Sequence, residues 1–281
     1  MAFPHGVHAV AASREAGTTS FHSGCRRLVI AACMVAVAFG ASVAQAQQGL
    51  ADTVERLKPS IVAVGTFQKT RSPPFIFRGS GFAVGDGTLI ATAAHVVAES
   101  LQIENQETMM VLAQGPSASQ PQAREAKAIA VDKVHDVALL RITGPPLPTL
   151  KLASSHAVRD GESVAFTGFP LGTTLGFYPV THRAIVAAIV PVVIPSANAA
   201  NLNARIIQSI RAGDFALFQL DASAYPGHSG SPLYDGSSGE VIGIVNMGFL
   251  KNTKDSAIGQ PSGISLAVPI QYLGELIRGS R

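Results

Sequence analysis

The chain has 281 residues, with 21 Lys plus Arg against 18 Asp plus Glu and only two cysteines. Three of the basic residues and one of the acidic ones fall within the first 46 positions, so the remainder is balanced to within one charge. That balance argues against nucleic acid or an anionic membrane surface as the main partner. Cys25 and Cys33 also lie in those 46 positions. The rest of the chain can form no internal disulfide and must be held by its core, and about 235 residues suffice for one large domain or two small ones.

In chain order, Arg26 and Arg27 precede an apolar run from Leu28 to Phe39, which is followed by Ala44-Gln45-Ala46. This is the pattern of a secretory signal peptide with cleavage before Gln47, and the run is short for a bilayer-spanning helix. The expected organisation is therefore a leader over 1–46 and a folded domain over 47–281, in the periplasm of a Gram-negative cell or secreted, without stable membrane insertion of the mature chain. Residues 1–25 read as an extended leader or a misplaced start. Ile30-Ala31-Ala32-Cys33 permits a lipoprotein reading. Few apolar residues separate Arg27 from that cysteine, so a cysteine inside the apolar run is the better account.

Beyond the leader, residues 50–58 are expected to form a short helix and Ser60 to Phe67 a first strand. After a loop from Lys69 to Arg78, Gly81 to Val84 and Thr88 to Thr92 predict a hairpin around Gly85-Asp86-Gly87. Further strands are expected at Leu101 to Leu112, Ala126 to Val131, Ala138 to Ile142, Ser163 to Gly168, Arg183 to Val193, Phe215 to Leu220, Glu240 to Met247 and Gly263 to Val268. Ala113 to Ala126 and Pro191 to Asn203 are expected loops, and Ile270 to Ile277 a terminal helix. Many short strands with Gly and Pro at the joints indicate a barrel or sandwich. No internal sequence repeat is visible.

Three local motifs carry chemistry. Tyr225-Pro226-Gly227-His228-Ser229-Gly230-Ser231-Pro232 sets Ser229 in a glycine-flanked turn, where its hydroxyl is a candidate nucleophile. Thr92-Ala93-Ala94-His95 offers a general base, and Asp136-Val137-Ala138-Leu139-Leu140 a carboxylate to orient it. Each residue alone reads more simply as structural. Together they form a set in the order His, Asp, Ser, which differs from the subtilisin and α/β-hydrolase orders. His135 precedes Asp136 directly and lacks the small-residue setting of His95; in an extended segment it would point the opposite way, so it reads as a surface or packing residue.

These residues resemble the chymotrypsin-like serine proteases, and within them the HtrA/Deg-type exported proteases. The likeness runs through Arg78-Gly79-Ser80-Gly81-Phe82, Thr88 to Val97, Asp136 to Leu140, Asp221 to Leu233, Gly243-Ile244-Val245-Asn246 and Gly263 to Pro269. It implies an all-β fold of two six-stranded antiparallel barrels with a short C-terminal helix, no cofactor or metal, protein or peptide substrates, and either a monomer or a trimer. By the same resemblance His95, Asp136 and Ser229 are catalytic, and the backbone amides of Gly227 and Ser229 form the oxyanion hole. His228 flanks them, where the family commonly has Asn or Asp, and is expected to be a solvent-facing replacement. Two departures stand out: HtrA-type members usually carry PDZ domains after the protease domain, whereas this chain ends shortly after Ile277, and Ser231 occupies a place that is usually glycine, as in the Gly-Ser-Pro version of glutamyl endopeptidases.

The resemblance puts the substrate pocket at Ser223, Ala224, Val245, Asn246, Leu266 and Ala267. Ser223 stands where trypsin has its pocket acid. No carboxylate is available there to attract Arg or Lys, so a small or medium aliphatic side chain is the expected preference. A Glu-specific site is the rival, with Ser223, Ser265 and His228 as its material. Two other classes remain beside the enzyme: a pseudoprotease that binds without turnover, and an exported β-rich structural protein with accidental motifs.

Overall fold

The computed structural model describes residues 49–97, 106–115, 120–154, 158–170, 172, 176–191, 215–246 and 263–280. The leader, the first half of the strand expected from Leu101, most of the loop after Pro191 and the end of the strand expected at Met247 lie outside the described residues. Residues 49–57 are helical and run into a short 3-10 turn, Lys58–Ser60.

Twelve strands follow. The first six are β1 (Ile61–Phe67), β2 (Phe75–Val84), β3 (Leu89–Ala93), β4 (Thr108–Ala113), β5 (Gln122–Asp132) and β6 (Val137–Ile142). The second six are β7 (Ser163–Gly168), β8 (Val180–Pro191), β9 (Ala216–Asp221), β10 (Pro232–Asp235), β11 (Val241–Asn246) and β12 (Ile264–Pro269), before a terminal helix Gln271–Gly279. Each set closes into an antiparallel barrel, in the order β1-β2-β3-β6-β5-β4 and β10-β11-β12-β9-β8-β7. The two orders are the same connection pattern, each strand of the first barrel having a counterpart six strands later. The chain thus repeats a topology without repeating a sequence.

Side-chain alternation builds both the barrel interiors and their interface. On β1, Val62 and Val64 face the first barrel's interior with Ala83, Ile90, Val111 and Leu140. Their neighbours Ile61 and Ala63 face outward, into a cluster that includes Phe82 and Leu139 of the first barrel and Ala165, Tyr234, Val241 and Val268 of the second. Val164, Phe166, Leu220, Leu233 and Val245 fill the second interior. A fully buried Val, Leu, Ile or Phe side chain contributes roughly 1.5–3 kcal/mol, and these three clusters supply the stability that a bridge-free chain needs.

The differences from the sequence reading have local causes. β2 begins at Phe75, inside the expected loop, because Phe75 and Ile76 pair with Phe67 and Thr66. β5 begins at Gln122, paired with Ala113, so the loop expected over 113–126 is shorter. β10 carries no strand signal of its own. It is four residues long and opens on Pro232, which lacks the amide a ladder needs and is tolerated at a strand start.

Candidate active site

Pairing of β3 with β6 brings His95 to Asp136. Ala93 lies opposite Val137, so the residues just beyond β3 and just before β6 are neighbours across the ladder. Ala94–Val96 then forms a 3-10 turn that turns His95 out of the strand. On the other side, Asp132 Oδ1 accepts the amides of Val134 and His135 and folds the chain into a turn. The turn ends on Asp136 in the left-handed region, at φ 57°. An Asp tolerates that conformation better than most residues.

Asp136 is buried, 1% exposed, and every oxygen it presents is engaged. Oδ1 accepts the His95 amide at 2.9 Å, Oδ2 lies 2.6 Å from His95 Nδ1, and its backbone carbonyl accepts the Ala94 amide at 3.0 Å. Asn246 Nδ2 donates a further bond to Oδ2 at 2.8 Å. A carboxylate held this way favours the imidazole tautomer with its proton on Nδ1, which leaves Nε2 as an acceptor. The Asn246 side chain is thus engaged with the Asp136 carboxylate, a contact that its expected place in the substrate pocket did not include.

Ser229 lies in the turn between β9 and β10 of the second barrel. Its carbonyl accepts the Ser80 amide at 2.8 Å, which ties the Ser229 turn to β2. Ser80, fully buried, also donates its hydroxyl to the Gly227 carbonyl at 2.7 Å and receives the Phe169 amide, while Thr92 Oγ1 donates to the Ser80 carbonyl. Around Ser229, the amides of His228, Gly230 and Ser231 bond to the carbonyls of Tyr225, Val245 and His228. The Gly227 amide has no hydrogen-bond partner among the described residues. Two glycines make the turn possible. Gly227 has φ 104°, and a Cβ there would lie 2.3 Å from the Phe169 carbonyl oxygen; Gly230 has φ 88°, and a Cβ there would lie 2.1 Å from the Ser80 carbonyl oxygen. No L side chain fits either position without moving the backbone.

Ser231 is fully buried, and the space for it is left by Gly168, where a Cβ would come within 1.9 Å of Ser231 Oγ. The unusual serine and that glycine are thus complementary in volume.

A sequence profile of the trypsin-like peptidase domain matches residues 79–244, a span that contains His95, Asp136 and Ser229. The chain belongs to the trypsin-like peptidases. Within this family of serine endopeptidases it is closely related to the HtrA/DegP proteases. It is 34% identical over 238 residues to the mitochondrial serine protease HTRA2 of Bos taurus, covering 83% of this chain and 43% of that protein. To serine protease HTRA1A of Danio rerio it is 31% identical, covering 82% of this chain and 41% of the relative. To a probable periplasmic serine endoprotease, DegP-like, of Ectopseudomonas mendocina (strain ymp) it is also 31% identical, covering 69% of this chain and 33% of the relative. The chain thus spans less than half the length of these relatives.

The trypsin-like residues expected around the pocket divide into groups. Ala224, Val245 and Ala267 are buried, while Ser223 and Leu266 are partly exposed. Ser265 Oγ donates to the Ala222 carbonyl at 2.6 Å and accepts the Ala224 amide at 2.7 Å, pinning the approach to Ser229. His228 differs most from expectation: it is 0% exposed rather than solvent-facing, because the turn points its ring into the second barrel beside Phe166 and His182. Burial pushes its pKa from 6.5 down to about 3, helped by the neighbouring His182 and slightly opposed by the Tyr225 backbone. Burial lowers that of His182 as well.

His135 sits in the turn before Asp136 rather than in an extended segment. Its Nδ1 lies 2.6 Å from Asp132 Oδ2, and its ring stacks on Tyr272 of the terminal helix at 3.9 Å and meets the edge of Phe215 at 4.9 Å. It anchors that helix to the first barrel. Sequence reading missed Ser80 and the roles of Asn246 and His182. The one local signal was the run Arg78-Gly79-Ser80-Gly81-Phe82, whose glycines flank Ser80.

Proposed function

We propose that the chain is a serine endopeptidase that cleaves peptide bonds through an acyl-enzyme, with His95, Asp136 and Ser229 as its catalytic residues. The observation that carries this reading is the Asp136 carboxylate, which clamps both the amide and the ring of His95. In the reaction, His95 Nε2 takes the Ser229 proton as Oγ attacks the scissile carbonyl, and the carbon becomes tetrahedral. The amides of Gly227 and Ser229 receive the resulting oxyanion, each worth roughly 3 kcal/mol when well aimed. His95 then protonates the leaving amine, and water repeats the sequence on the ester. Asp136 stays ionised throughout and stabilises the imidazolium. This leaves no step that calls for a metal or cofactor.

For specificity we favour small or medium aliphatic residues before the scissile bond. Two of the three groups that a Glu-binding site would need are committed elsewhere: the Ser265 proton goes to the Ala222 carbonyl and His228 is buried with its Nδ1 engaged. A pocket with Ala224, Val245, Leu266 and Ala267 offers an ionised side chain no compensation for lost water. The DegP-like relatives are described as periplasmic, which supports export of this chain, with residues 1–46 as the leader and 47–281 as the protease domain. Among the described residues no helix is long and apolar enough to cross a membrane. Profiling the purified protein with a peptide library should give cleavage after Val, Ala or Leu. Dominant cleavage after Glu would overturn the aliphatic pocket, and no cleavage of any peptide would favour the pseudoprotease.

A further inference from the structure

His228 lies between the two amides assigned to the oxyanion, yet its ring turns away from the cleft. Its Nδ1 accepts the Tyr225 amide at 3.0 Å, and its own amide donates to the Tyr225 carbonyl at 3.0 Å. One backbone bond and one side-chain bond therefore close the Tyr225-Pro226-Gly227-His228 turn. The ring is wedged edge-on against Phe166 of β7, at 5.2 Å and 90°, and against His182 of β8, at 4.8 Å and 87°. His182 is itself stacked on Phe166 at 5.1 Å. Neither partner can yield without disturbing the β7–β8 ladder, where Phe166 and His182 are opposite each other.

The turn needs such a brace. Pro226 has no amide to donate, and Gly227 has no side chain to resist rotation, so the direction of the Gly227 amide depends on what holds the residues around it. Ser80 holds the carbonyl side of Gly227. On the other side, the His228 backbone is held by the Tyr225 carbonyl and the Ser231 amide, and the His228 ring adds the bond to the Tyr225 amide that closes the turn from within.

We propose that His228 is a positioning residue, a neutral ring whose Nδ1 braces the Tyr225–Ser229 turn so that the Gly227 amide points at the developing oxyanion. This rests on the serine-endopeptidase reading above. A nitrogen that accepts an amide carries no proton of its own, so the neutral ring holds its proton on Nε2. The turn requires an acceptor at that place and not an imidazole as such. Asn Oδ1 branches from the side chain at the same point as Nδ1, so His228→Asn preserves the bond, whereas His228→Leu fills similar volume without an acceptor.

The test compares kcat and KM of wild type, His228→Asn and His228→Leu on one peptide substrate. An amide that binds the transition state more than the ground state appears in kcat. The leucine variant should lose roughly 10²–10³ in kcat, the loss of one oxyanion donor, with KM within about threefold, and asparagine should restore most of it. Full activity in His228→Leu, or equal losses in both variants, would overturn the proposal. A second arm uses wild type alone, so a leucine variant that does not fold leaves the question decidable. Ring nitrogen NMR at pH 6 should show His228 neutral with its proton on Nε2, and a proton on Nδ1 would overturn the brace. Wild type without any peptidase activity would count against the endopeptidase reading instead, and the ring spectrum would still decide whether the brace exists.

Discussion

Replacing Ser229 by alanine should lower kcat by about a millionfold while the protein stays folded. The reasoning follows from what the hydroxyl does and does not touch. Covalent attack needs Oγ, and neither the imidazole nor the oxyanion amides can replace it as nucleophile. The turn, by contrast, is held by backbone bonds from Ser80 to Ser229, from Gly230 to Val245 and from Ser231 to His228, together with the Ser80 hydroxyl on Gly227. None of these uses the Ser229 side chain. Protein-substrate hydrolysis and thermal unfolding, measured on both proteins, should separate accordingly: activity lost, melting curves nearly superimposed. A variant that retained activity would remove Ser229 from the mechanism.

Acid should destabilise the fold over the window between pH 6.5 and about 3, and His228 should account for much of the slope. In the unfolded chain this ring titrates near 6.5, whereas in the folded protein burial holds it unprotonated down to about 3. Between those values the unfolded state binds a proton that the native state does not, so unfolding becomes easier as pH falls. The stability contributed by the neutral ring is complete above pH 6.5 and declines by about 1.4 kcal/mol for each pH unit below it, until the native ring protonates as well. His182, shifted in the same direction, adds to the trend. Denaturant midpoints taken at pH 7, 6, 5 and 4 should fall steadily for wild type and less steeply for His228→Asn. Parallel pH dependences would contradict the burial of an uncharged His228.

Much of the architecture was legible because barrel strands write their pattern locally. Ile61 to Val64 is apolar at every position, as suits a strand buried on both faces with one pair of side chains inward and the other at the barrel interface. It reads as a strand from its letters alone, as the turn does at Gly85-Asp86-Gly87. The glycines around Ser229 were legible for the same reason, since a positive φ at Gly227 and Gly230 is a local requirement. What escaped the sequence depends on distance along the chain. Asn246 meets Asp136 across 110 positions and Ser80 meets Gly227 across 147, and no window of neighbouring residues reports such a contact. The burial of His228 escaped for a related reason: its ring finds shelter only because Phe166 and His182 arrive on two other strands. β10 was silent because Pro232-Leu233-Tyr234-Asp235 is too short for an alternation to register, and pairing with β7 and β11 makes it a strand.

The active-site serine is the claim on which the rest depends, and covalent labelling reads it without a known substrate. Exposing the folded protein to a fluorophosphonate and mapping the adduct by mass spectrometry should place a single phosphonyl group on Ser229, formed quickly in wild type and lost in His95→Ala because the hydroxyl then has no base. An unlabelled wild-type protein, or an adduct on another residue that persists in Ser229→Ala, would contradict the account.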